Sequence, residues 1–206
     1  MKLRSKRLGN ILKKFLWADI GLTLLLLINI IIVRLVGAGE ALLSYDSIVS
    51  VVVGLNVVIY TILYLFWLYK VHKDLQELDE FYPITPGGAM ARVLIPFYNL
   101  YGLWNVYSTM ADYFKKNSSI HATGSRLALY IPIYYILMLA TNGMNSYLTR
   151  QLAEEPYSNW WFISYIGNSA LVVLYILIIK AVSTGLLRLT EHELNSGEED
   201  RAGYSQ

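Results

Sequence analysis

The chain contains no cysteine in its 206 residues. This absence excludes disulfide bonds, thiolate metal ligands and thiol nucleophiles. Histidine is scarce as well: His72, His121 and His192 lie far apart in the sequence, and we expect each to be solvated rather than to bind a metal. The sequence has no zinc-protease motif, no phosphate-binding glycine loop followed by lysine, and no nucleophile elbow. We therefore expect no enzyme activity, no metal and no cofactor.

What the chain has in abundance is apolar sequence gathered into long runs. Hydrophobic residues make up 55% of the chain. About 20 residues of helix cross a hydrocarbon core of about 30 Å. Four runs reach this length and predict four transmembrane helices, at residues 15–36, 48–69, 127–147 and 162–187. We expect an all-α integral membrane protein in which residues 1–190 form a single polytopic domain in the lipid bilayer. The polar residues 191–206 predict a disordered cytoplasmic tail.

The middle segment FYPITPGGAMARVLIPFYNLYG (residues 81–102) is apolar but is interrupted by proline and glycine. A helix from Gly87 to Ile95 would rise only about 13 Å, less than half of the hydrocarbon core. Pro96 then removes a backbone donor, and the residues beyond it have the amphipathic spacing of a helix in the membrane interface. We predict that residues 83–114 form a re-entrant or interfacial segment on the cytoplasmic side. A cytoplasmic cap on the bundle and a kinked full span are the alternatives.

Basic residues predict the orientation, because cytoplasmic loops carry more lysine and arginine than external loops. Six of them lie between Lys2 and Lys14, which places the N-terminus in the cytoplasm and is more typical of an orientation signal than of nucleic-acid binding. With four spans, Arg150 is the one basic loop residue that lies outside. A fifth span through the middle segment would place five others outside: Lys115, Lys116, Arg126, Arg188 and Arg201. We therefore expect four spans and both chain ends in the cytoplasm.

Under this topology each predicted span carries one asparagine five to eight residues from its outer end. Amides in lipid need hydrogen-bond partners, and the nearest are on neighbouring helices. We expect a layer of interhelical hydrogen bonds that serves packing. A polar cavity or solute path is the functional alternative, and chance alignment is the third. The layer consists of Asn29, Asn56, Asn142 and Asn168, with Asn145 one turn from Asn142.

Three charged residues fall within the predicted spans: Asp19, Arg34 and Lys180. A charge inside the membrane is by default a candidate for function. These three lie near the ends of their spans, where they can be hydrated or reach the interface.

Residues 70–80 continue the second span into the cytoplasm, and their acidic members, including Asp74, predict a solvated helix face.

The middle segment also carries a resemblance. Thr85-Pro86-Gly87-x-Ala89 followed by Ile95-Pro96-Phe97-Tyr98-Asn99-Leu100-Tyr101 resembles the central signature of an uncharacterised bacterial membrane family, the "domain of unknown function 4328" group. Leu94 stands where that family often has an aromatic residue, and Trp104 comes later than the family's tryptophan. The resemblance implies a bacterial plasma-membrane protein and implies no reaction. Its motif supplies six candidate hinge residues: Pro86, Gly87, Pro96, Phe97, Asn99 and Tyr101.

These observations favour a non-enzymatic subunit, scaffold or assembly factor of a bacterial membrane complex. The cytoplasmic surface from Lys70 to Arg126 would be its docking face, and a membrane-protein partner or a second copy would be its occupant. The alternative is a small oligomeric channel or transporter that uses the re-entrant segment and the asparagine layer. A membrane enzyme that acts on lipid is the third possibility.

Overall fold

The computed structural model describes residues 3–37, 39–95, 99–151 and 158–203, and describes side chains within 3–37, 39–95, 101–150 and 158–192. The only regular secondary structure in these residues is helical. Six α-helices follow one another, with one 3₁₀ turn (Ser118–Ile120) before the fifth. They are α1 (Ser5–Val36), α2 (Glu40–Leu78), α3 (Pro86–Leu94), α4 (Asn99–Lys116), α5 (His121–Gln151) and α6 (Asn159–Gly203).

Four helices in the described part of the chain are long and apolar enough to cross a membrane. They are α1, α2, α5 and α6, and they contain the four predicted spans. The prediction of an all-α fold is confirmed for the described residues, and so is the prediction of four helices long and apolar enough to cross a membrane. Neither α3, with 9 residues, nor α4 is among the four.

The predicted spans 15–36 and 48–69 leave residues 37–47 as an outer loop, but the connection between α1 and α2 is shorter. Gly37 adopts a φ of 90° and donates its amide to the Val33 carbonyl at 2.8 Å, which ends α1. α2 begins almost at once, and Glu40 in its first turn is favoured by the helix dipole. The loop prediction was wrong because residues 40–47 contain neither glycine nor proline to interrupt a helix.

α6 likewise continues beyond the predicted fourth span and is helical to Gly203. The sequence predicts a disordered tail over residues 191–206, of which 204–206 lie outside the described residues. Glutamates in this stretch are good helix formers, so an existing helix extends through them at low cost.

The chain divides into two compact units. The first comprises Met1–Asn10, Tyr64–Pro132 and Leu177–Gln206; the second comprises Ile11–Leu63 and Ile133–Ile176. Each unit has its own buried apolar core. In the first unit the largest fully buried side chains include Trp67, Tyr107 and Phe114, and in the second they include Leu12, Leu16 and Ile30.

Within the first unit, α4 is held by close contacts on several sides. A Cβ at Gly102 would collide with the backbone carbonyl of Arg92, so α4 passes directly against α3. A Cβ at Gly124 would lie 2.7 Å from the Ala111 carbonyl, and one at Gly185 would lie 2.5 Å from the Phe114 ring. Because α3 and α5 approach the backbone of α4 directly and the Phe114 ring packs against Gly185 of α6, α4 is fixed by shape against α3, α5 and α6.

Candidate functional site

In the second unit, Asp19 is a buried acidic residue within a predicted span. The Asn56 amide nitrogen donates to the Asp19 carboxylate at 3.1 Å and to the Phe15 carbonyl at 3.2 Å. Asp19 is 6% exposed and Asn56 is 7% exposed. A carboxyl group in an apolar span is costly, and the amide donor lowers that cost. The Tyr60 hydroxyl, one turn along α2, lies within electrostatic range of Asp19. Such a group can bind a cation, carry a proton or simply join two helices.

A second pair joins the same two helices closer to their connection. The Asn29 amide donates to the Asp46 carboxylate at 3.2 Å and to the Leu42 carbonyl at 3.4 Å. Asp46 and Asn56 are ten residues apart on α2, or about 15 Å along its axis. Asn29 and Asn56 therefore lie at different levels, and each pairs with a carboxylate rather than with another amide. On these two helices the amides therefore do not form the expected single layer, because α2 begins at Glu40, eight residues before the predicted span.

On α5 and α6 the amides do meet. Asn145 and Asn168 exchange hydrogen bonds of 3.3 and 3.4 Å, and the Ser164 hydroxyl donates to the Asn145 carbonyl oxygen. Asn142, one turn away, is exposed and has no hydrogen-bond partner among the described residues. The partner of Asn168 is thus Asn145.

The other two charged residues in the predicted spans lie at exposed positions. The Arg34 guanidinium donates to the Asn159 side-chain oxygen at 2.6 Å, which links the end of α1 to the start of α6 within the second unit. Lys180 lies in the first unit and lines a pocket between α5 and α6. Within the described residues, no group of three carboxylate or imidazole side chains is arranged to hold a metal.

The motif segment builds the α3–α4 region of the first unit. Thr85 caps α3, its hydroxyl oxygen accepting from the Gly88 amide at 3.1 Å, and Pro86 occupies the first helical position, where no donor is needed. Gly87 follows in open space. Tyr101, in the first turn of α4, is 60% exposed. The other candidate hinge residues are Pro96 and Phe97, which lie outside the described residues, and Asn99, which begins α4 and whose side chain is not described.

Two residues expected to be solvated are buried. Asp74 is 0% exposed, and its two carboxylate oxygens accept from the backbone amides of Arg4 at 3.0 Å and Ser5 at 2.9 Å. His72 is buried, with its Nδ1 bonded to the Leu68 carbonyl at 2.9 Å, which makes Nδ1 the protonated nitrogen. One feature of the sequence indicated the burial of Asp74: it is three residues from Val71 and so shares a helix face with a buried apolar residue.

Tyr82 lies beside His72, with the two ring centres 5.8 Å apart. Its hydroxyl is buried and has no hydrogen-bond partner among the described residues. Burial raises the pKa of Tyr82 above its ordinary value; the nearby Tyr113 hydroxyl raises it further, and the Arg92 guanidinium lowers it. The neutral phenol therefore packs as a largely apolar ring.

No protein-family model, no curated protein and no solved structure matches the chain.

Proposed function

We propose that this chain is a non-enzymatic multi-pass protein of the bacterial plasma membrane that acts as a subunit, scaffold or assembly factor of a membrane complex. Both termini face the cytoplasm in this proposal, and the middle segment 83–114 enters or lies on the same leaflet. Membership of the domain of unknown function 4328 group is part of the proposal and rests on the motif at residues 85–101.

The observation that carries the docking role is an exposed apolar corner where α3 gives way to α4. We define the apolar corner as Leu94, Ile95, Tyr101 and Trp104, all of which are exposed. The helix that follows has a closely packed opposite face: Val106, Met110 and Phe114 are fully buried. The corner is thus apolar surface on a fixed support, which is typical of a surface that another protein or the lipid covers.

The position of the corner favours a membrane-embedded or membrane-adjacent partner. Gly102 brings α4 directly against Arg92, so the exposed residues at the end of α3 and at the start of α4 stand close together. Exposed apolar side chains at the end of one short helix and the start of the next can enter the headgroup region and meet the apolar surface of a neighbouring membrane protein there. The expected partner is a membrane protein or a second copy of this chain.

Photo-crosslinking in living cells tests the docking role. A photoreactive amino acid in place of Tyr101 should capture one partner protein, or a second copy, at high yield. The matched control is the same substitution at Asp112, which is exposed on α4 but outside the apolar corner. Adducts with lipid alone at Tyr101, or equal capture at Asp112, would contradict docking through this corner.

A small oligomeric channel or transporter is the second candidate, because the Asp19–Asn56 pair and the exposed Asn142 place polar groups within predicted spans. An exposed amide in lipid favours association with another helix that offers a partner. Ion or solute flux through reconstituted liposomes, blocked by Asn56→Leu or Asn142→Leu, would support this function. Absence of flux above that of empty liposomes would exclude it for the solutes tested.

A further inference from the structure

A pocket of about 130 Å³ lies between α5 and α6 in the first unit. This is well above the roughly 10–15 Å³ that one water molecule requires. Thr123, Arg126 and Tyr130 line it from α5, and Lys180 and Thr184 line it from α6. Spacings of three and four residues place each set on a single helix face. The pocket is therefore produced by two polar stripes that face one another.

The charge of the pocket is positive. It is lined by one guanidinium and one ammonium group and by no carboxylate. Neither Arg126 nor Lys180 forms an ion pair with any side chain that the structure describes. Lys180 lies inside the predicted span 162–187, where a cation requires water or a counter-charge. An anion in the pocket would provide that counter-charge for both residues.

The remaining groups suit the oxygens of a phosphate. Hydroxyls of Thr123 and Thr184 supply neutral donors, and arginine and lysine form charge-assisted hydrogen bonds to phosphate. Thr123 also lies in the first turn of α5, the end of the helix whose dipole attracts anions. Leu177 adds an apolar wall next to these polar groups. Basic pockets between membrane helices bind the head groups of anionic lipids in this way.

We propose that the α5–α6 pocket binds a phosphate group, supplied by the head group of an anionic glycerophospholipid. A free inorganic phosphate or soluble phosphate ester shares this chemistry and is the other possible source. The apolar wall and the membrane-spanning length of both helices favour the lipid, whose acyl chains would lie along α5 and α6.

Native mass spectrometry of the full-length protein in a neutral detergent measures this binding directly. Phosphatidylglycerol should bind more tightly than zwitterionic phosphatidylcholine. Arg126→Gln and Lys180→Gln should each weaken phosphatidylglycerol binding about fivefold, as expected for loss of one basic residue near a lipid surface. The matched control is Lys14→Gln, which removes an exposed basic residue of α1 outside the pocket and should change binding less than twofold.

Two further variants keep the test decisive if a glutamine variant does not fold. Lys180→Arg retains the charge and should retain binding, whereas Thr184→Val keeps the shape but removes a donor and should weaken binding. Equal affinity for the two lipids, or an equal loss with Lys14→Gln, would overturn the proposal. Displacement of phosphatidylglycerol by micromolar inorganic phosphate would overturn the lipid source and assign the pocket to soluble phosphates.

Discussion

Asp74 of α2 caps the amino end of α1 through the backbone amide of Ser5, at 2.9 Å. The first amides of a helix have no partner within the helix, and an acidic side chain there also meets the positive end of the dipole. Residues almost seventy positions apart in sequence are joined in this way, and a salt bridge of 2.9 Å between Arg4 and Glu77 lies beside the cap. The start of α1 is therefore fixed to the far end of α2.

Replacing Asp74 with alanine should lower the free energy of unfolding by about 1–2 kcal/mol, because two amides lose their acceptor. Asp74→Asn retains one acceptor oxygen and should cost less. Unfolding of the purified protein in detergent, followed by circular dichroism, measures both values. Glu80→Gln, at an exposed position just beyond the end of α2, is the control and should have no effect. An Asp74→Ala variant as stable as the wild type would show that the cap contributes nothing.

Gly102→Ala should disrupt the α3–α4 contact. The added Cβ would meet the Arg92 carbonyl, which belongs to the backbone and cannot turn aside. We expect a loss of about 1–3 kcal/mol or more, as is typical of overpacked cores, and reduced abundance in the membrane. Gly87→Ala is the matched control, since a Cβ there meets nothing within 4 Å and alanine favours the helix. Equal stability of the two variants would contradict the close approach of α4 to α3.

The four long apolar helices could be predicted from sequence because an apolar run of sufficient length is a local property. Hydrocarbon thickness sets the length, and residues such as those from Ile48 to Tyr69 satisfy it without reference to any neighbour. The start of α3 was predictable for the same reason, since Thr85-Pro86-Gly87 places a capping hydroxyl before a proline at the first helical position.

The polar contacts could not be predicted, because each depends on the register between two helices. Asn29 meets Asp46 only because α2 begins at Glu40 and so brings Asp46 alongside α1. A single sequence does not reveal that register. Asp74 shows the same limit. Its charged neighbours in the sequence predict an exposed position, and it is buried because the first residues of the chain pack against it.

Asn56→Leu should destabilise the protein by about 0.5–2 kcal/mol, since it leaves the buried Asp19 carboxyl without its amide donor. The double variant Asp19→Leu/Asn56→Leu should cost less than the two single changes together, because no unpaired polar group remains. Asn142→Leu is the control: this amide is exposed and has no partner among the described residues, so its removal should leave the stability of the monomer unchanged. Additive effects of Asp19 and Asn56 would show that the pair is not coupled.

Tyr82→Phe should raise the free energy of unfolding at pH 8 by about 1 kcal/mol, because the hydroxyl that it removes is buried without a hydrogen-bond partner in the described structure and carries a desolvation cost. Burial raises the pKa of Tyr82, so its contribution to stability is complete below the unfolded-state pKa of about 10 and decreases as the pH rises above it. The wild type should therefore lose stability above pH 10 more steeply than the variant. Tyr101→Phe, at an exposed tyrosine, controls for general alkaline effects. If the wild type and Tyr82→Phe lost the same stability above pH 10, the burial of Tyr82 would not account for the loss.

The orientation of the middle segment can be tested with single cysteines, since the chain has no cysteine of its own. Ser118 is exposed in the turn between α4 and α5, and Glu40 is exposed at the start of α2. If residues 83–114 enter and leave through the cytoplasmic leaflet, an impermeant thiol reagent on intact cells should label Glu40→Cys and should reach Ser118→Cys only after the cells are opened. A segment that crosses the bilayer would reverse the second result, because the turn would then lie outside. It would also place Arg126 on the external side, against the distribution of basic residues that orients membrane proteins.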